Sequence, residues 1–357
     1  MPYCSKCGAE LDEDAKFCPK CGAPVGPPEA RPVMKKERRP INVLAIVLIA
    51  LLVIAAVIVA IVAITFLPIR MVDVERRMSV PYTSGVNTLN FDLIADVASV
   101  TIAFEDLTDE LQSPSIVLDA LATARAGVFA SPDSLERFMP VWHDETQGNV
   151  LTVTVRQDID TLDWTWYSSL KITFDIRIDP SMDTSLNIKT NTGGILLDTE
   201  AGVNLNSLSL EATTGGVEAS LVDDIVVAGD ISLETTTGGV KLFWDNVIVA
   251  NDIQVDALTT TGGVVVDVKQ DRELLQNVDL KADATTGGVN FAVDIQGDVG
   301  AEIESTVTTG GIDVDRQVGF SGTAFLLRSD NYPANHNFDV SLETTTGGID
   351  IDAKYTP

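Results

Sequence analysis

The chain has 357 residues and a formal net charge of −28, and its acidic residues are unevenly distributed. Residues 1–68 contain 8 Lys and Arg against 6 Asp and Glu, whereas residues 69–357 contain 16 against 46. A surface this acidic repels phosphate backbones, so nucleic acid is excluded as an expected partner. Histidine occurs only twice, as His143 and His336, which leaves few groups for acid–base chemistry near neutral pH.

The first 21 residues contain all four cysteines, arranged as the C-x2-C pairs Cys4/Cys7 and Cys18/Cys21. Four thiolates complete the tetrahedral coordination of a structural zinc ion and leave no open position for water. The alternative, two disulfides, needs an oxidising compartment. We therefore predict a structural Zn²⁺ site in a domain of residues 1–25, which is too short to fold without the metal.

A glycine follows each cysteine pair, and the pattern from Tyr3 to Gly22 resembles the zinc-ribbon domains at the ends of many prokaryotic membrane proteins. Zinc ribbons often bind nucleic acid, and the alternative is a small structural or protein-interaction module with a cytosolic protein as its partner; the charges favour this alternative. The segment's acidic residues outnumber its lysines by one, which argues against binding to phosphate. These charged residues are Lys6, Lys16, Lys20, Glu10, Asp12, Glu13 and Asp14.

A Pro-rich, basic linker is predicted over residues 26–40, and residues 41–67 then contain no charged side chain. About 20 apolar residues suffice to cross a bilayer, so this pattern predicts one transmembrane helix over 41–67. More basic residues precede the span than follow it, which predicts a cytoplasmic amino terminus and an extracytoplasmic carboxyl-terminal part. The expected localisation is the cell membrane, as a single-pass protein with a juxtamembrane linker over 68–84.

Residues 85–186 are rich in alternating and β-branched segments and are predicted to form a β-rich cap and the first coils of a repeat structure. Trp164 and Trp166 share one face of a predicted strand. The functional interpretation is a patch that stacks on sugars or lies on lipid. The alternative is packing in a cap that covers the first repeat.

Residues 187–357 contain seven copies of the pattern Asn/Thr-Thr-Gly-Gly-Val/Ile, which indicates a repeat architecture. The inward-facing positions change parity across each Gly-Gly pair, since strand side chains alternate between faces. An antiparallel meander with Gly-Gly hairpins and a parallel β-solenoid both account for this change. The sameness of the copies favours the solenoid, in which the second threonines stack as an inner ladder. The first glycines are residues 193, 215, 238, 262, 287, 310 and 347.

These repeats resemble those of the putative-adhesin family of bacteria and archaea, whose function is unknown. The resemblance covers roughly residues 85–352 and rests on Thr-Thr-Gly-Gly-Val/Ile. It implies a single-stranded β-solenoid (β-helix) and a role in adhesion, scaffolding or sensing, and it transfers no catalytic residues. The expected fold class is therefore mainly β, with an N-terminal zinc ribbon and one transmembrane α-helix.

Two short segments, Ile-Asp-Val-Asp and Ile-Asp-Ile-Asp, place aspartates directly after the last two Gly-Gly pairs. If the two repeats are neighbours, four carboxylates converge and form a candidate Ca²⁺ site. The alternative is solvated surface charge. The residues concerned are Asp313, Asp315, Asp350 and Asp352.

The sequence favours a non-enzymatic membrane protein that presents an acidic β-solenoid for binding, adhesion or scaffolding to a surface ligand or protein. The alternative is a transmembrane sensor that signals through the zinc ribbon. A carbohydrate-active enzyme is a third hypothesis, but it needs a row of catalytic carboxylates on one outer face. The positions after the glycines are instead mixed: Leu196, Glu218, Lys241, Val265, Asn290, Asp313 and Asp350.

Overall fold

The computed structural model describes residues 2–26, 43–66, 70–110, 113–126, 132–159, 167–222 and 224–357. The chain divides into two compact units, Met1–Ala60 and Ile61–Pro357. Residues 27–40 of the predicted linker, and Trp164 and Trp166 with their predicted patch, lie outside the described residues.

The first unit begins with the cysteine-containing segment, which is held by two isolated antiparallel β-bridges. One bridge joins Tyr3 to Glu10, and the other joins Phe17 to Pro24. Its buried core consists of Leu11 and two of the cysteines. A core this small cannot stabilise a fold by itself, which agrees with a metal-dependent domain.

Helix α1 (Val43–Phe66) follows in the chain and consists of uncharged residues. In the described part of the chain, no helix is long and apolar enough to cross a membrane. This finding overturns the predicted transmembrane helix over 41–67 and the predicted single-pass localisation in the cell membrane.

The second unit starts with strands that precede the repeats, and the first of them occupies most of the segment 68–84, where we expected a linker. A 3₁₀ helix, η1 (Pro132–Phe138), separates the fourth and fifth strands. The strands are β1 (Arg70–Pro81), β2 (Thr88–Val97), β3 (Ser99–Phe104), β4 (Pro114–Ala126), β5 (Val141–Gln147), β6 (Val150–Gln157) and β7 (Tyr167–Ile178).

Each repeat contributes one strand before its Gly-Gly pair and one strand after it. The strand pairs are β8 (Asp183–Thr192) with β9 (Ile195–Asp198), β10 (Asn204–Thr214) with β11 (Val217–Leu221), β13 (Ile231–Thr237) with β14 (Val240–Asp245), β16 (Ile253–Thr261) with β17 (Val264–Gln270), β18 (Val278–Thr286) with β19 (Val289–Gln296), β20 (Val299–Thr309) with β21 (Ile312–Val318), and β24 (His336–Thr346) with β25 (Ile349–Thr356). Four short strands complete the set: β12 (Val226–Val227), β15 (Ile248–Val249), β22 (Phe320–Thr323) and β23 (Leu326–Ser329).

These strands form two large sheets, one of 14 strands and one of 11. Every strand that precedes a Gly-Gly pair lies in the 14-stranded sheet, and every strand that follows one lies in the 11-stranded sheet. Each strand pairs in parallel with the equivalent strand of a neighbouring repeat, as β13 does with β10 and β16. The glycine pairs therefore carry the chain from one sheet to the other and are not the hairpin turns of a meander.

One face of each sheet is buried, and the buried side chains of both sheets form a single apolar core. In β13, Ile231, Leu233 and Thr235 are buried, and in β14 the buried residues are Val240 and Leu242. The predicted change of parity across Gly-Gly is therefore confirmed. It arises because the chain turns from one sheet to the other at the two glycines, so that opposite parities point to the same core.

The repeats are not stacked in the order of the chain. The last repeat, β24 and β25, lies between β18–β19 and β20–β21 in both sheets. At the other end, β2 and β3 lie between β6–β7 and β8–β9. Antiparallel strands then complete the molecule, with β1 and β4 at one end of the 11-stranded sheet and β5 at the same end of the 14-stranded sheet.

The predicted single-stranded β-solenoid is therefore wrong. A solenoid winds coil upon coil along the sequence, whereas this chain forms two large sheets, places later strands between earlier ones and adds antiparallel strands. The longer stretch between the sixth and seventh Gly-Gly pairs contains β22 and β23. These strands extend the 14-stranded sheet beyond β20 by antiparallel pairing.

Candidate functional site

The four cysteines are brought together by two turns with the same hydrogen bonds. The backbone N–H of Cys4 donates to the carbonyl of Ala9, and the N–H of Gly8 donates back to the carbonyl of Cys4, at 2.8 and 2.9 Å. Cys18 and Gly22 repeat this arrangement. Gly8 has a φ of 71° and Gly22 a φ of 66°, which is the left-handed region that glycine enters without strain.

The sulfur positions match a tetrahedral zinc ion. All four Sγ atoms lie within 4.8 Å of one another. The Sγ atoms of Cys4 and Cys21 are 3.7 Å apart, and those of Cys7 and Cys18 are 3.6 Å apart. A zinc–sulfur bond of about 2.3 Å in tetrahedral geometry puts sulfurs about 3.8 Å apart. The residues present therefore fit a structural zinc ion, as the sequence predicted.

Backbone N–H groups prepare two of the sulfurs to be thiolates. The backbone N–H of Lys6 makes the largest contribution to lowering the pKa of Cys4, and that of Cys7 the second largest; the pKa is about 6. The N–H of Lys20 has the largest part in lowering the pKa of Cys18. Hydrogen bonds to the charged form stabilise it, and thiolate is the form that binds zinc. These two cysteines are also the buried pair of the four.

The other pair is more exposed, and Cys7 retains its proton in the absence of a cation. The N–H of Ala9 lowers the pKa of Cys7, but the neighbouring sulfurs of Cys21 and Cys18 raise it more strongly, to about 12. Sulfurs in contact cannot all be ionised without a positive charge between them. Bound Zn²⁺ supplies that charge and fixes the position of the four ligands.

The second candidate site is the edge of the body along which the Gly-Gly pairs are stacked. The threonines before the first glycines are in register from strand to strand, so Thr214 lies opposite Thr192 on one side and Thr237 on the other. The predicted ladder therefore exists, but its members are exposed and do not face the core. They are Thr192, Thr214, Thr237, Thr261, Thr286, Thr309 and Thr346.

A second exposed column lies beside the first, at the position one residue earlier in each repeat. It consists of Asn191, Thr213, Thr236, Thr260, Thr285, Thr308 and Thr345. We refer to these 14 residues, 13 threonines and Asn191, as the threonine edge. The ladder next to the glycines is predicted to face inward, because strand alternation is extended up to the first glycine, and this prediction is wrong.

Buried threonines two positions before this ladder hold the glycine corners in place. The hydroxyl of Thr235 donates to the carbonyl of Gly215 at 2.8 Å, and that of Thr259 donates to the carbonyl of Gly238 at 3.0 Å. Thr344 makes the same bond to Gly287, also at 3.0 Å. Each bond joins one repeat to the corner of the repeat beside it in the sheet, so the spacing of the edge is fixed by the core.

The first glycine of each corner is required by both conformation and space. Gly262 has a φ of 147°, and a Cβ built on it lies 1.7 Å from the carbonyl oxygen of Gly238. The corresponding glycines of the other repeats have φ values between 134° and 155° and the same kind of contact. The corners are therefore stacked backbone against backbone, and nothing larger than glycine fits between them.

The four aspartates proposed as a Ca²⁺ site are placed on adjacent strands. Asp313 of β21 lies directly opposite Asp350 of β25, but the register shifts after Val314, so Asp352 lies opposite Arg316. Asp315 falls at this shift. Within the described residues, the four cysteines are the only three or more metal-ligating side chains that lie close enough together to share one ion. The Ca²⁺ site remains a prediction.

The two histidines lie near opposite ends of the 14-stranded sheet. His143 is on β5, and His336 is on β24, with seven strands between them in the order of the sheet. Trp142 packs beside Phe91 with ring centroids 6.5 Å apart, so this tryptophan covers the end of the core. The structure therefore does not bring the histidines into one acid–base site.

Comparison with known proteins identifies the amino-terminal segment: residues 3–25 match the zinc-ribbon domain family. No curated protein matches the sequence. A putative cell adhesion protein from Clostridium sporogenes is similar in structure, with 13% identity, a TM-score of 0.37, and coverage of 78% of this chain and 99% of that chain.

Two further solved structures are similar at a lower level. A putative adhesin from Bacteroides fragilis has 12% identity, a TM-score of 0.26, and coverage of 78% of this chain and 96% of its own. A putative lipid binding protein from Parabacteroides distasonis has 8% identity, a TM-score of 0.26, and coverage of 80% and 97%. Similarities this low do not decide the function of this chain.

Proposed function

We propose that the body formed by residues 70–357 is a non-enzymatic binding or scaffolding module with an adhesive role. The observation that carries the proposal is the threonine edge, which presents two exposed threonines at six levels and Asn191 with Thr192 at a seventh. A surface of repeated, identical positions binds through many equal contacts, so its strength comes from multivalency and not from one pocket.

The backbone supports this function because it holds the edge rigidly. Each corner is hydrogen-bonded to its neighbour, as the N–H of Gly238 is to the carbonyl of Thr261 at 2.9 Å, and as that of Val240 is to the carbonyl of Gly263 at 3.0 Å. Preorganised contacts lose little entropy when a ligand binds. A rigid edge is therefore suited to repeated weak contacts.

The non-enzymatic part of the proposal is supported by the location of the titratable groups. Acid–base catalysis needs two such groups within hydrogen-bonding reach of one reacting bond. The histidines are at opposite ends of a sheet, and Asp267 and Asp339, whose pKa values are raised mainly by burial, are on different sheets. The two histidines therefore do not form one acid–base pair, and neither do these two aspartates.

The zinc ribbon contributes a structural module to this protein, and we propose that it binds another protein. Its acidic side chains, such as Glu10 and Asp12, are exposed, and cysteine sulfurs fill all four coordination positions of the zinc ion. A closed zinc site of this kind supports a fold and leaves no position for substrate.

The test uses beads coated with the full chain and incubated with purified cell-wall fragments that contain both polysaccharide and protein. We expect the fragments to be retained, with no new reducing sugar ends in the supernatant. Beads coated with the Gly262→Ala variant, whose edge cannot stack, serve as the matched control. Failure to retain fragments contradicts a binding function, and release of reducing ends contradicts a non-enzymatic one.

A further inference from the structure

We propose that the threonine edge binds an extended, neutral polysaccharide that lies along the stack of repeats. This inference rests on the proposed binding function and names the class of ligand. Its starting point is the uniformity of the edge: other outward-facing positions differ between repeats, whereas these 14 exposed positions hold 13 threonines and one asparagine.

The fold does not require these hydroxyl groups. The stacked corners are held by glycine backbone and by the buried threonines Thr235, Thr259 and Thr344. By contrast, the 13 exposed hydroxyls of the threonine edge make no hydrogen bond to the protein in the described structure, so each has a free donor and free acceptor positions. Asn191 differs because its side chain donates to Asp96.

The absence of charge at the edge selects the ligand class. The body carries a large excess of acidic residues, yet the threonine edge and its glycines contain no ionisable side chain. A cationic ligand would be attracted to the carboxylates of the sheet faces, and an anionic one would need Lys or Arg. A neutral molecule rich in hydroxyls is complementary to hydroxyl groups that both donate and accept.

The spacing of the edge calls for a ligand that repeats. Neighbouring strands are about 4.8 Å apart, so seven levels extend over about 29 Å. In-register threonines offer the same contact at each step, which a single small sugar cannot use. A polysaccharide chain that runs along the edge meets equivalent hydroxyls again and again, and its weak contacts add along the chain.

Two shallow grooves lie along the flanks of the edge and give sugar rings a place to sit. One groove of about 420 Å³ is lined by the glycine backbone at Gly194, Gly216 and Gly239. The second glycine of each corner has no side chain to fill this groove, so these glycines leave the surface open. The other, of about 250 Å³, is lined by Thr236, Thr260 and Thr285 of the threonine edge and by the carboxylates of Glu211, Glu234 and Asp283. These carboxylates repel an anionic polysaccharide and can accept hydrogen bonds from sugar hydroxyl groups.

The test measures binding of the full chain to three purified probes: an unbranched neutral glucan, an anionic polysaccharide, and a short neutral oligosaccharide of the glucan. The variant combines Thr236→Val, Thr260→Val and Thr285→Val, which keep the branched shape and remove three adjacent hydroxyls. The matched control combines Thr83→Val, Thr152→Val and Thr306→Val, which remove three exposed hydroxyls elsewhere.

We expect the full chain to bind the neutral glucan more tightly than its short oligosaccharide, and the threonine-edge variant to lose at least about tenfold in affinity. The control variant should bind like the parent. Serine in place of valine at residues 236, 260 and 285 should restore binding, because it restores the hydroxyls. The near-UV circular dichroism spectrum, to which the buried Trp244 contributes, verifies that each variant is folded.

Several results would overturn the inference. These are equal binding by the threonine-edge variant and the parent, preference for the anionic polysaccharide, failure to bind any neutral glucan, or retention of cell-wall fragments only through their protein. In the last case the proposed binding function stands and the polysaccharide assignment fails. Growth inhibition of ice crystals without glucan binding would show that the hydroxyls order water instead.

Discussion

The glycines of the corners show how one residue type determines the architecture. Gly262 needs a positive φ, and any Cβ there overlaps the backbone of the next repeat. Gly311, the second glycine of the sixth corner, has neither constraint, because its φ is not in the left-handed region and nothing lies within 4 Å of its Cβ position. The two glycines therefore differ in what they tolerate.

We expect Gly262→Ala to destabilise the body by about 3 kcal/mol or more, since backbone strain and overlap both contribute. Gly311→Ala should be nearly neutral or slightly stabilising, because it reduces the freedom of the unfolded chain. Denaturant unfolding of the full chain, followed by tryptophan fluorescence, measures both changes. Equal stability of the two variants would show that the corners are not closely stacked.

A residue on the outer face of the 11-stranded sheet predicts how stability depends on pH. Burial raises the pKa of Asp267 above 3.8, and the carboxylates of Asp352, Asp245 and Asp294 raise it further. The folded state therefore holds this proton more tightly than the unfolded chain does. The stabilisation is complete below about pH 3.8 and is lost as the pH rises through the raised pKa.

At neutral pH, Asp267→Asn should increase the melting temperature, because it removes a carboxylate that the fold disfavours. The increase should shrink as the pH falls towards the pKa of a free aspartate. Asp313→Asn removes one charge at an exposed position and serves as the control for net charge. Thermal unfolding across this pH range checks the expectation, and a similar response of both variants would refute it.

At the scale of elements, the zinc ribbon is stabilised almost entirely by its metal. Its buried core consists of Leu11 and two ligand cysteines, whereas structural zinc contributes about 10–16 kcal/mol to such domains. Because loss of one ligand opens the tetrahedral site, Cys18→Ser should unfold residues 2–26. The body has its own core and should keep its melting temperature.

Bound zinc, measured by atomic absorption, should fall from about one ion per chain to far below it in this variant. The amide NMR signals of residues 2–26 should collapse to random-coil positions. Lys20→Ser, which alters a residue between two ligands but leaves all four cysteines, should retain both zinc and structure. A ribbon that remains folded after chelation would contradict a structural role for the metal.

At the scale of the whole molecule, the order of the strands is the decisive feature. Strands β24 and β25, at the carboxyl end of the chain, pair on one side with β18 and β19 and on the other with β20 and β21. The end of the sequence is thus an interior layer of the fold. Its buried residues include Phe338, which contacts Trp244 edge to face at 5.8 Å between ring centroids.

Removal of residues 336–357 should therefore separate β20–β21 from the rest of the body. We expect residues 297–331 to become sensitive to protease while the repeats before β18 remain resistant, since their parallel pairing is retained. In a fold stacked in chain order, the same truncation would remove only a terminal layer. Mass spectrometry of limited digests identifies the cleavage sites, and protection of residues 297–331 would contradict the strand order.

Much of the candidate site could be predicted from the sequence because its chemistry is local. Two C-x2-C pairs with following glycines determine a zinc site whatever surrounds them, and seven Gly-Gly pairs determine where the chain changes direction. The alternation on either side of each pair also predicts which residues face the core, except at the threonine edge, where the strand has already begun to turn.

Only the tertiary structure decided how the repeats are arranged, because their register is the same at every level. Nearly identical repeats can pair with one another in any order. The sequence therefore does not distinguish a stack in chain order from one in which the last repeat lies between the fifth and the sixth. The register shift after Val314, which places Arg316 opposite Asp352, likewise depends on the neighbouring strand. The sequence by itself determined the metal ligands and the repeating corner, and long-range pairing determined the two sheets, their strand order and the exposed threonine edge.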